Sequence, residues 1–189
     1  YCLTFEPPTP LWQLSQGGKI ERKTGEEEVE FSEIAREMLT NAGYEHYEIS
    51  NFALPGRHSF HNSVYWSNEE YLGFGASAVS YIGSRRITNL REPAAYVRAV
   101  ESRASAADEV EEIPPHMQAV ETIIQRLRLR KGIDCTAFRA RFGFHPGETF
   151  GDSLQGLVEL GLLEDDGFTI KSSLKGWHLA NEIALKLLA

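Results

Sequence analysis

The feature that most narrows the fold is an amphipathic helix set between two strand-like runs. Phe31, Ile34, Ala35, Met38, Leu39 and Ala42 fall at i, i+3, i+4, i+7, i+8 and i+11, which is one face of an α-helix. Glu26, Glu27 and Glu28 precede them and suit the positive end of a helix dipole. Gly43 follows, where a left-handed residue closes a helix. Tyr1–Phe5 reads as a strand before this helix and Tyr44–Phe52 as a strand after it. Pro7, Pro8 and Pro10 exclude a regular element just beyond the first strand. Strand, helix, strand predicts an α/β protein with a parallel arrangement. Residue 1 is Tyr and already strand-like, so the chain reads as one that begins inside a larger fold.

The chain of 189 residues carries 19 Lys and Arg against 27 Asp and Glu, a net charge of −8. That balance makes a poor non-specific binder of nucleic acid or anionic membrane. The densest basic patch is Arg126, Arg128, Arg130, Lys131, Arg139 and Arg141, and it reads as the solvated faces of helices. There is no apolar run of about 18 residues, so no membrane span is expected. Cys2 and Cys135 are isolated and belong to no CxxC pattern, which points to a reducing, cytoplasmic setting.

Further along, Pro55-Gly56 marks a turn and 58–66 reads as irregular. Tyr71–Ile82 reads as a strand of small residues, turning at Gly83-Ser84 into Arg86–Asn89. Pro93 opens a helix to about Ser102. The stretch 104–115, with Asp108, Glu109, Glu111, Glu112 and two prolines, reads as a boundary between domains 1–105 and 106–189. Beyond it come helices over 115–130, 134–142 and 147–160, a hairpin over 162–170 and a last helix over 173–188. Asp134 is the expected N-cap of the second and Gly143 its stop. Three helices, a hairpin and a final helix make a winged-helix-like module. A DNA-reading third helix needs Arg, Lys, Asn or Gln. This one carries Glu148, Asp152, Glu159 and a single Gln155, and the hairpin adds Glu164, Asp165 and Asp166. Acids there repel phosphate, so no nucleic-acid partner is expected and a packing or lid role fits better.

The chemistry concentrates between Tyr47 and Ser80. Polar and aromatic residues dense at a strand end are where β/α folds place their sites. Gly73 and Gly75 are expected on one face of a strand, where a backbone, a flat ligand or a closely packed neighbour approaches. His61-Asn62-x-x-Tyr65-Trp66 offers an imidazole able to ligate a metal or haem iron, an amide to orient it and two rings to stack on a planar group. The same residues also read as a surface loop pinned by buried aromatics. His46, His58 and His61 lack the cysteine or carboxylate partners of a zinc site.

Tyr47-Glu48-Ile49-Ser50-Asn51-Phe52-Ala53, Pro55-Gly56, His61-Asn62-x-x-Tyr65-Trp66 and Tyr71-Leu72-Gly73-x-Gly75 closely resemble the HemW/HemN group of radical SAM proteins. That group is related to oxygen-independent coproporphyrinogen III oxidase, and the His-Asn-x-x-Tyr-Trp unit resembles its haem-chaperone branch. Leu3–Pro7 is similar to the group's late barrel strand. Leu127-Arg128, Gly132-Ile133 and Phe138–Gly143 are similar to its C-terminal domain.

The resemblance implies the last strands of a partial (β/α) barrel over 1–105, with an edge-strand extension, and a winged-helix-like, mostly helical domain over 106–189. It implies S-adenosylmethionine and a [4Fe–4S] cluster held by a CxxxCxxC loop that this sequence does not contain. It puts Asn51, Phe52 and Ala53 beside the S-adenosylmethionine cavity. His61 is then the haem-contacting residue and metal ligand, with Asn62, Tyr65, Trp66, Gly73 and Gly75 around the bound group. The implied partners are haem or another tetrapyrrole, the N-terminal half of the barrel and a haem-acceptor protein. Members of the group often have His where this chain has Val79. Two further functions stand beside haem transfer: coproporphyrinogen III oxidation, and a non-catalytic interaction module built on the winged-helix-like part.

Overall fold

The computed structural model describes residues 5–188. It divides into two compact units that meet in sequence at His58 and Ser59. The predicted strand Tyr1–Phe5 lies, apart from Phe5, outside the described residues.

The first unit contains helices α1 (Pro10–Gln16) and α2 (Gly25–Asn41) and strands β1 (Glu45–Glu48) and β2 (Asn51–Ala53). Helix α1 forms where the prolines were expected to prevent any element. Thr9 caps it by accepting from the Trp12 amide, and Pro10 stands in the first turn, where its missing N–H breaks no bond. Helix α2 begins on a capping box: the Glu27 amide donates to Thr24 Oγ1 at 3.2 Å and the Thr24 amide to Glu27 Oε2 at 2.9 Å. No residue of α2 is buried, and Phe31, Ile34 and Met38 of the predicted inward stripe are exposed. The expected strand Tyr44–Phe52 is instead a hairpin, with Glu45 opposite Ala53, His46 opposite Phe52 and Glu48 opposite Asn51. The chain reverses at Ile49-Ser50, next to a bulge between His46 and Glu48. Hydrophobic alternation runs through such a short turn without marking it.

In the second unit, β3 (Val79–Ile82), β4 (Arg85–Asn89) and β5 (Ala107–Glu112) form an antiparallel sheet in the order β3-β4-β5. Gly83 and Ser84 both have positive φ, 55° and 65°, as a tight hairpin turn requires. The strand expected from Tyr71 is reduced to a single bridge, Tyr71 to Tyr81, followed by an irregular loop. Residues expected to be irregular form helix α3 (Phe60–Trp66), because Ser59 Oγ accepts from the Asn62 amide at 3.2 Å. Helix α4 (Pro93–Glu101) follows as expected, capped by Glu92. The acidic stretch read as a domain boundary holds β5. Its charges are matched across the ladder, Glu112 opposite Arg85 and Glu111 opposite Arg86. Strand pairs among the described residues are all antiparallel, not parallel as expected.

Then come α5 (Pro115–Arg126), β6 (Ile133–Asp134), α6 (Cys135–Phe142), α7 (Pro146–Glu159), β7 (Leu163–Asp165), β8 (Thr169–Ser172), α8 (Leu174–His178) and α9 (Ala180–Leu188). The sheet order β6-β8-β7 completes the winged-helix arrangement. Asp134 caps α6 and Gly143 ends it at φ 84°, both as read from the sequence. The last helix is broken in two at Leu179, which leaves helical dihedrals. One core unites these elements, with Val120, Ile123, Leu127, Phe138, Leu154 and Leu157 at its centre. The fold is α/β, and α5, whose inner face lies in this core, also packs beside α3.

Candidate functional site

Helix α3 carries four of the predicted site residues. His61 and Tyr65 are four apart and so share a face. Their rings meet edge to face with centroids 4.8 Å apart. Tyr65 meets Tyr71 in the same way at 4.5 Å, and Tyr71 lies 6.4 Å from Tyr81. The series runs from an exposed imidazole to a buried phenol. Burial pushes the hydroxyls of Tyr71 and Tyr81 above the usual phenol range. Phe60, beside His61 in sequence, is 83% exposed. Asn62 is half-buried. Trp66 has the Arg128 guanidinium 5.1 Å from its ring centroid, a cation–π contact.

The C-terminal end of α3 is built from residues that sequence reasoning missed. The Glu69 amide donates to Val64 O at 3.1 Å and the Asn68 amide to Tyr65 O at 2.9 Å. These two bonds are a Schellman closure, and Asn68 takes the left-handed position at φ 49°. Asn68 Nδ2 donates to Thr122 Oγ1 on α5 at 3.0 Å. Arg141 on α6 donates to Asn68 O at 2.7 Å and to Ser67 O at 3.3 Å. The only sequence signal for this end was an Asn just past an aromatic pair.

Gly73 and Gly75 do not share a strand face, because the chain between Leu72 and Ala78 is a loop. A Cβ on Gly73 would stand 2.2 Å from Val79 O, so the close approach there is by backbone. Gly75 has φ 109°, which only glycine adopts freely. The loop is pinned from outside. The Gly73 amide donates to Ser80 Oγ at 2.9 Å and the Gly75 amide to Tyr96 Oη at 3.0 Å. Asn89 Nδ2 donates to Gly75 O at 2.9 Å. Neither Asn89 nor Tyr96 was singled out in the sequence.

Asn51, Phe52 and Ala53 belong to the first unit. Asn51 is exposed, Phe52 stacks on His46 at 4.0 Å, and Ala53 is buried. His58 stacks on Tyr47 at 4.4 Å, and its Nε2 lies 2.6 Å from Glu45 Oε2. Glu48 is fully buried, and neither carboxylate oxygen has a hydrogen-bond partner among the described residues.

An exposed imidazole backed by aromatic rings suits a haem iron and the face of its macrocycle. An iron–sulfur cluster does not fit this chain. A [4Fe–4S] site with an open iron needs three thiolates, and the sequence has two cysteines. Cys135 is buried, and burial followed by the nearby Asp165, Asp134 and Asp166 pushes its thiol up. No cluster of His, Cys, Asp and Glu able to hold a metal ion occurs among the described residues.

Residues 113–179 match the family described as the HemN C-terminal domain. The chain is 33% identical over 183 residues to the protein named Heme chaperone HemW of Bacillus subtilis (strain 168), covering 97% of this chain and 48% of that one. The chain is thus similar, over nearly its whole length, to about half of a HemW-type protein, and its residues 113–179 match the HemN C-terminal domain. The Heme chaperone HemW of Lactococcus lactis is 31% identical over 188 residues, 100% of this chain and 49% of that one. The chain therefore spans about half the length of these relatives. Among solved structures, the radical SAM enzyme coproporphyrinogen III oxidase (HemN) of Escherichia coli has the same fold over 92% of this chain and 44% of its own. The TM-score is 0.68 and the identity 20%. The match to the C-terminal family runs from the start of α5 through α8, whereas α3 lies upstream of it.

Proposed function

We propose that this chain is the tetrapyrrole-handling C-terminal part of a HemW-like haem chaperone. Its task is to bind haem and pass it to an acceptor protein, not to turn it over. The observation that carries this reading is the exposed His61 on α3, backed at 4.8 Å by Tyr65. The names of the full-length relatives support it. In this reading His61 ligates the iron, Tyr65 fixes the ring plane of the imidazole, and Asn62 and Trp66 border the macrocycle. The Gly73–Gly75 loop lies in the same unit and lines the approach to it. Asn51, Phe52 and Ala53 border an S-adenosylmethionine cavity completed by the N-terminal half of the barrel, which also supplies the cluster cysteines. When bound, that cofactor pair supplies radical chemistry, and no residue of this chain substitutes for it. Residues 1–105 then belong to the barrel and its edge extension, and 106–189 form the C-terminal domain, with β5 joining the two. A cytoplasmic location goes with the isolated cysteines.

Haemin titration followed at the Soret band tests the assignment. The wild-type chain is expected to saturate with an imidazole-ligated spectrum. His61→Ala is expected to lose that spectrum and to weaken binding at least tenfold. Identical spectra and midpoints for the two proteins would sink the role given to His61. Coproporphyrinogen III consumption by the full-length protein, with reduced cluster and S-adenosylmethionine, would favour the oxidase instead.

A further inference from the structure

Helix α3 has seven residues, fewer than two full turns of backbone bonds. A helix that short does not hold its shape in water by itself. Its orientation, and with it that of His61, depends on what grips it. The grip lies at the end opposite His61. Asn68 is 9% exposed and Thr122 is 4% exposed, so their hydrogen bond is shielded from solvent. Thr122 Oγ1 in turn donates to Gln118 O at 2.7 Å, which fixes its lone pairs toward Asn68. Arg141 covers the last two carbonyls of the closure. Arg128 lies against Trp66, the last helical residue.

The residue type at position 68 is informative. A left-handed C′ position favours glycine, which carries no steric penalty there. Asn is the residue that tolerates this conformation and also brings a side-chain donor. The donor is used, on Thr122 of the neighbouring domain. Arg141 likewise reaches across from α6 to backbone atoms that only the closure of α3 presents.

We infer that Asn68 and Arg141 are positioning residues through which the HemN C-terminal domain sets the orientation of His61. The domain is then a scaffold for the haem-contacting helix. This rests on the reading of His61 given above, and the anchoring itself is measurable without haem.

The test uses the full chain with Asn68→Gly, Thr122→Val and Arg141→Ala. Asn68→Gly keeps the left-handed backbone and deletes only the amide. Arg139→Ala is the control, since Arg139 lies on the same helix and its guanidinium faces Glu148 at 3.5 Å. Far-ultraviolet circular dichroism checks that each variant is folded. Amide hydrogen exchange without haemin is expected to be at least tenfold faster across 62–67 in the three variants and unchanged in the control. Haemin titration is expected to weaken about three- to tenfold in the same three, with the wild-type Soret position kept because His61 is still present. Unchanged exchange in Asn68→Gly and Thr122→Val overturns the proposal whatever haemin does. Faster exchange with wild-type haemin affinity also overturns it, provided His61→Ala does weaken binding. If His61→Ala has no effect on haemin, the haem reading fails and the exchange data alone decide the anchoring.

Discussion

Glu48 is the residue whose surroundings ask most of it. A carboxyl group with no exposure and, among the described residues, no donor for either oxygen gives up its hydration without a hydrogen bond in exchange. Its neighbours Tyr47 and Ala53 are buried apolar groups of the same hairpin. Replacing such a group by an apolar one of similar volume removes the desolvation cost without leaving an unpaired partner. Glu48→Leu is therefore expected to stabilise the β1–β2 hairpin by roughly 1–3 kcal/mol. Slower amide exchange at His46 and Phe52 would report it, and faster exchange would contradict it. Glu48 reads in the sequence as an ordinary charged residue of a strand. Its burial is set by tertiary packing, to which local pattern is blind.

At the scale of elements, the wing between β7 and β8 is an acidic turn held by its own backbone. Asp166 Oδ1 accepts from the Phe168 amide at 2.9 Å and from the Thr169 amide at 2.7 Å. Those donors favour the ionised form and hold its carboxyl below the usual aspartate range. A depressed carboxylate contributes stability that is complete above its unfolded value, about 3.9, and is lost as pH falls through the lower folded value. Asp166→Asn keeps an acceptor oxygen but not the charge. Its melting temperature is expected below wild type at pH 7, with the gap closing as both are taken toward pH 2. A gap that is constant with pH would refute the charge argument. This wing was legible in the sequence because Asp165-Asp166-Gly167 is strong turn chemistry. The α6 cap at Asp134 and its stop at Gly143 were legible for the same reason. What escaped notice was structure fixed by partners distant in the chain. Strand β5 hides in an acidic run because its ladder partner β4 begins 22 residues earlier, at Arg85. Helix α3 hides because its grip comes from Thr122 and Arg141. The motif residues of α3 were visible, whereas the residues that aim them were not.

At the scale of the whole molecule, the exposed stripe on α2 dominates. Phe31, Ile34 and Met38 lie at helical spacing and are all exposed. A stripe of that kind on a free chain favours association with another apolar surface. The isolated chain is expected to self-associate at micromolar concentration, and Phe31→Glu with Met38→Glu to reduce its apparent mass in light scattering. A monodisperse wild-type monomer with cooperative melting would contradict this. The family match begins at Ile113, yet the molecule is not divisible there. The Ile113 amide donates to Ser84 O at 2.8 Å, and Arg86 reaches across to Glu121 with donor–acceptor distances of 2.8 and 2.9 Å. A recombination breakpoint drawn at the edge of the matched region would leave the β3-β4-β5 sheet whole but part Arg86 from Glu121 and the Ile113 amide from Ser84.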